Sequence, residues 1–158
     1  MSEPDLSVQL IKILSRQYGC KAIWLEKRDV TGDKVEPDIS GVFLGHPVFF
    51  EVKACNPETR QNDHPFSKAQ IQELTVREKA GAFAVGLLIM DLNGYEGFLK
   101  SPAPLDVDCG VRYVPLRDIP ENGIVRYDDL TNLDLLKGGL FKRCIGTSDG
   151  GQCTKDHC

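Results

Sequence analysis

At 158 residues, 41% hydrophobic and 27% charged, the chain has the size and composition of one globular domain with a proper core. No apolar run is long enough to span a membrane and the acidic start, Met1 to Leu6, lacks a signal-peptide core, so a cytoplasmic protein is expected. The net charge of −4 weighs against a strongly basic duplex-binding surface, although residues 1–80 are nearly balanced, with eleven Lys/Arg against twelve Asp/Glu.

In chain order, Ser2-Glu3-Pro4-Asp5 followed by Leu6, Leu10, Ile13 and Leu14 at helical spacing predicts a capped amphipathic helix with acids in its first turn. Residues 38–44 (DISGVFL) and 48–54 (VFFEVKA) are two β-prone runs around Gly45-His46-Pro47, which predicts a hairpin. With Leu44–Pro47 as a four-residue loop, Phe43 pairs with Val48 and Asp38 with Lys53. One face then carries Ile39, Gly41, Phe43, Val48, Phe50 and Val52, and the other carries Asp38, Ser40, Glu51 and Lys53.

Two carboxylates that converge repel each other unless a cation neutralises them. Mg²⁺ suits such a pair because it takes oxygen ligands and keeps waters for substrate contact, and Mn²⁺ can substitute. Asp38 and Glu51 are the candidate metal ligands, with the Val52 carbonyl as a third oxygen. Lys53 is placed to orient an attacking water or to stabilise charge on a scissile phosphate. The competing reading is a solvated hairpin face with Asp38 and Lys53 as a cross-strand ion pair.

Downstream, Ser67-Lys-Ala-Gln70 is a capping-box pattern that predicts a helix through about Lys79, with Ile71 and Leu74 inward and Gln70 in the first turn. The polar, proline-bounded loop 56–65 joins the hairpin to this helix. Arg60 and His64 within it, and Lys68 just beyond, are candidate nucleic-acid contacts, with a plain connector as the alternative. Ala82–Met90 is a continuous apolar run and predicts a strand buried on both faces.

The order helix, hairpin with Pro37-Asp38 and Glu51-Val52-Lys53, helix carrying Ser67…Gln70, then buried strand resembles the PD-(D/E)XK nuclease superfamily over about residues 2–92. The closest likenesses are VRR-NUC domains and RecU-type Holliday-junction resolvases. Gly41-Val-Phe-Leu-Gly45 is similar to a stretch between the two motifs in the latter type. The resemblance implies a restriction-endonuclease-like α/β fold, with Asp38 and Glu51 as metal ligands and Lys53 as the catalytic lysine. It further implies that Gln70 supports the water or a phosphate and that Glu3 is a helix-borne acid near the metal, with Asp5 a weaker candidate. It implies Mg²⁺-dependent cleavage of DNA, on branched or otherwise structured substrates, by a homodimer. A linear-duplex nuclease of restriction or repair type, and a non-catalytic DNA-binding module with the same fold, are the alternatives. Glu36 stands where the family more often has a small residue before Pro37.

The C-terminal half reads as a second hairpin turning at Asp91-Leu-Asn93-Gly94 with a strand over 95–99, then a strand over 111–116 and a short helix over 128–136. In that helix Leu130, Leu133 and Leu136 would face inward. Cys20, Cys55 and Cys109 are expected to be small buried hydrophobes. Cys144, Cys153, His157 and Cys158 could in number bind a structural zinc, but their spacing favours a flexible tail with incidental thiols. The expected organisation is thus a nuclease domain over 1–143 and a Cys-rich tail over 144–158. Its centre would be a mixed sheet of four or five strands with the first two helices packed on it.

Overall fold

The structure, a computed structural model, describes residues 2–28, 35–101 and 107–136. The tail over 144–158, with its four possible zinc ligands, lies outside the described residues. The chain begins with helix α1 (Glu3–Tyr18), where the Ser2 hydroxyl accepts a hydrogen bond from the Asp5 N–H and Leu6, Leu10, Ile13 and Leu14 are buried. Strands β1 (Ile23–Lys27), β2 (Ile39–Phe43) and β3 (His46–Asn56) follow. Then come β4 (Gln61–Asn62), helix α2 (Lys68–Lys79), β5 (Phe83–Ile89) and helix α3 (Leu92–Lys100). Strands β6 (Val111–Pro115) and β7 (Thr131–Asn132) complete a mixed seven-stranded sheet of order β1-β2-β3-β5-β6-β7, with β4 paired to β3.

The fold is α/β, as expected, with more strands than expected. Only β3 and β5 run parallel, and α2 makes the crossover between them. The even-numbered residues of β5 face α2, where Ala84 packs with Leu74. The odd-numbered ones face α1 and α3, in the large core that includes Leu10, Leu14, Phe50, Val52, Tyr95 and Phe98. All seven β5 residues are buried, which is why this strand reads as an unbroken apolar run.

The hairpin differs from expectation in its turn. The loop is two residues long, Leu44 (φ 51°) and Gly45 (φ 80°), and Phe43 pairs with His46. Positive φ at both positions gives the turn whose twist matches the flanking strands. Pro47 is tolerated inside β3 because residues pointing at β2 alternate with those that do not, and β5 pairs only from Val48 onward. The register is therefore two residues from the expected one. A shift of two keeps every side chain on its face, so Ile39, Phe43, Val48, Phe50 and Val52 are all buried together.

Two other expectations fail. Residues 91–100 form α3 instead of a turn and strand: the Asp91 carboxylate accepts from the Asn93 N–H at 3.0 Å, and Tyr95, Phe98 and Leu99 are buried at helical spacing. Asp91→Ala is expected to lower stability by about 1 kcal/mol, read by thermal unfolding, through loss of this cap. Residues 128–136 are not a helix but a 3-10 turn (Tyr127–Asp129) and β7, which pairs with β6. Leu133 and Leu135 are buried and Leu136 is exposed, a period of two instead of three to four. Cys55 and Cys109 are buried as expected, whereas Cys20 is exposed.

Candidate active site

The site forms where β2 ends and leaves the edge of β3 uncovered. Ile39 opposite Phe50 is the last pair of that ladder, and one step further in the same register sets Asp38 beside Glu51. The two-residue turn thus brings together the two carboxylates, where the expected longer loop would have set Asp38 against Lys53. Asp38 Oδ2 accepts from the Val52 N–H at 2.8 Å and continues the ladder with a side chain. Glu3, in the first turn of α1, accepts from the Ala54 N–H at 3.2 Å on the same edge. In an extended strand a residue's carbonyl and N–H point to the same side, which puts the Val52 carbonyl on the edge that Asp38 caps.

Glu51 and Lys53 are 3% and 5% exposed, because β3 is central and α2 covers their face. A solvated hairpin face is therefore excluded, and among the described residues Lys53 makes no ion pair with Asp38. Burial pushes the Glu51 carboxyl up to about 10, helped by its hydrogen bond with Asp38 and by the charge there. Lys53 acts in the opposite direction and Glu3 adds slightly to the rise. Without a cation, the pair therefore favours the form in which Glu51 keeps its proton.

Gln70 completes this part of the site. Its Oε1 accepts from the Ser67 N–H at 2.9 Å, while the Ser67 hydroxyl accepts from the Gln70 N–H at 3.1 Å. With its oxygen used in the capping box, the amide presents Nε2 to Glu51 Oε2 at 3.4 Å. Asp38, Glu51 and Gln70 are thus brought together at β3, with Glu3 two residues along the same edge at Ala54 and Lys53 on the covered face with Glu51.

The candidate nucleic-acid contacts are placed differently. His64 and Lys68 are exposed, and Lys68 reaches only the equally exposed Glu121 at 4.0 Å. Arg60 makes a bidentate pair with Asp128, Nη2 to Oδ1 at 2.7 Å, and its guanidinium lies over the Tyr127 ring at 5.3 Å. The segment around it is a tight turn, since the Asn56 carboxamide accepts from the Glu58 and Thr59 N–H groups. The Lys53 Nζ lies over the ring of Phe66, a residue whose one sequence signal is an apolar side chain directly before the capping Ser67.

The donor set fits a hard divalent cation. Asp38 and Glu51 are neighbours, and burial beside Asp38 favours the protonated form of Glu51; the Val52 carbonyl would be the third oxygen. Among the described residues no group of three or more His, Cys, Asp or Glu is disposed to hold a metal. Such a site suits Mg²⁺, commonly held by one or two protein carboxylates plus water and phosphate, better than zinc.

No protein-family model matches the chain, and no curated protein matches it. Among solved structures it is similar to Hjc, a Holliday junction resolvase of the archaeal hyperthermophile Archaeoglobus fulgidus. The two are 17% identical with a TM-score of 0.48, over 81% of this chain and 90% of that one. No helix among the described residues is long and apolar enough to cross a membrane.

Proposed function

We propose that the protein is a Mg²⁺-dependent endonuclease that hydrolyses DNA phosphodiesters, with branched DNA such as a four-way junction as its substrate. The observation that carries this reading is the meeting of Asp38 and Glu51 at the open edge of β3, with the buried Lys53 on the strand beside them. Asp38, Glu51 and the Val52 carbonyl would hold the cation. When bound, it supplies Lewis-acid activation of water and screening of phosphate charge. Glu51 would hold the cation as a carboxylate, its proton released to solvent. Lys53 keeps a positive charge next to the scissile phosphate, where charge builds in the transition state. The Gln70 amide holds the Glu51 carboxylate in place, and Glu3 fixes the strand edge through Ala54 while adding negative charge near the metal.

His64 and Lys68, exposed beside the start of α2, are the proposed DNA contacts. Arg60 would have to leave Asp128 to join them, so its nearer role is to hold the 127–129 turn. A homodimer would deliver the two symmetric cuts that a junction requires. The chain's acidity predicts weak binding that falls steeply with salt.

The test is cleavage of a labelled four-way junction beside a linear duplex of the same sequence, with Mg²⁺ and with EDTA. Paired cuts confined to the junction, and abolished by EDTA, are expected. Equal cutting of both substrates would keep the nuclease and discard the branched-DNA preference. Cutting unaffected by EDTA would contradict the metal reading.

A further inference from the structure

An ammonium group removed from water needs either an anion or another source of negative potential. Lys53 is 5% exposed, and among the described residues no carboxylate lies within ion-pair distance of it. Its Nζ instead sits over the ring of Phe66, 5.6 Å from the centroid, within the range at which an aromatic face attracts a cation.

The ring packs against a bare strand and the Phe66 backbone is anchored. Gly86 stands opposite Glu51 in the β3–β5 pairing, and a Cβ there would lie 2.8 Å from Phe66 Cζ. The Phe66 N–H donates to the Gly123 carbonyl at 2.9 Å, and Gly123 has φ +75° with no room for a side chain beside the Phe66 backbone. Asn62, buried, locks the same junction: its Nδ2 donates to the carbonyls of Gly123 at 3.0 Å and His64 at 2.6 Å, and its Oδ1 accepts from the Val125 N–H at 2.9 Å.

From these contacts we infer that Phe66 is a positioning residue for Lys53, and the inference rests on the nuclease reading of the site. A carboxylate partner would neutralise the ammonium and pull it from the substrate. A π-face holds it in one place and leaves its N–H groups to be donated elsewhere. The same short segment serves both halves of the site, because Phe66 steadies Lys53 and Gln70, four residues on, reaches Glu51.

The first arm of the test needs neither metal nor DNA. In the full chain with ¹³C-labelled lysine, the ε-methylene signal of Lys53, assigned by its loss in Lys53→Met, is expected upfield of the other lysines through the ring current. Phe66→Tyr should keep that displacement, and Phe66→Leu should abolish it. Gly86→Ala, which keeps Phe66 but pushes its ring, should abolish it too. In single-turnover cleavage, Phe66→Leu should lower the rate at saturating protein by about tenfold or more without changing half-saturation, as expected of a misplaced catalytic group. Phe66→Tyr should stay within about threefold of wild type. A wild-type Lys53 signal among the other lysines, or full cleavage by a folded Phe66→Leu protein, would overturn the inference. Full cleavage by Lys53→Met would instead overturn the reading of the site on which it rests.

Discussion

Glu51→Gln is expected to lower DNA cleavage by on the order of 10³-fold and, in the metal-free protein, to raise stability above neutral pH. Both effects follow from one fact. Glu51 is buried beside Asp38, so its charged form is disfavoured unless a cation is present. In the unfolded chain Glu51 loses its proton near 4.5, while in the fold it keeps the proton to about 10. Between those pH values the native state binds a proton that the unfolded state has released, so stability falls as pH rises. The contribution is complete below pH 4.5 and is lost progressively toward pH 10, at no more than about 1.4 kcal/mol per pH unit. Gln cannot ionise, so the variant should lose this slope and exceed wild type in stability at pH 8 without metal. Thermal unfolding from pH 5 to 9 in EDTA measures it. A wild-type stability that rises over this range, or a variant with the same slope, would contradict the assignment.

Lys53→Met should lower the cleavage rate at saturating protein by about 10²-fold, with little effect on half-saturation, because the ammonium acts on charge that develops in the transition state. Methionine keeps the length of the stem, and its thioether can still meet the Phe66 ring, so packing is preserved. A loss confined to half-saturation would mean that Lys53 binds the phosphate without assisting its hydrolysis.

Much of the fold was legible because local pattern and tertiary burial agree. The α1 stripe, the alternating faces of β2 and β3, the capping box of α2 and the fully apolar β5 each have a period set by what they bury. The errors came where one residue type serves two structures. Asp91, Asn93 and Gly94 suit a hairpin turn equally well as a helix start, and the burial of Tyr95, Phe98 and Leu99 decided for the helix. In the 128–136 stretch, leucines spaced by three suggested a helix, yet pairing of Thr131 and Asn132 with β6 extended the chain.

The candidate site was legible as a set of residue types and not as a geometry. Which acid stands beside Glu51 depends on a register that the Leu44-Gly45 turn sets, and Leu44 gives no sequence signal of positive φ. The burial of Glu51 and Lys53 was hidden for a different reason. Their face alternates as polar within the hairpin, and only the crossover through α2 covers it. The place of Phe66 in the site was not legible from its position before Ser67, since Gly86, Gly123 and Lys53, which define it, are distant in sequence.

The most direct measurement is calorimetric titration of Mn²⁺ into the protein at pH 7, in two buffers of different ionisation enthalpy, for wild type and Glu51→Gln. One Mn²⁺ per chain should bind to wild type with release of about one proton, because the cation takes the place of the proton held by Glu51. The variant should bind far more weakly and release none. Binding of equal strength by Glu51→Gln, or binding by wild type with no proton released, would contradict a cation site built on Asp38 and Glu51.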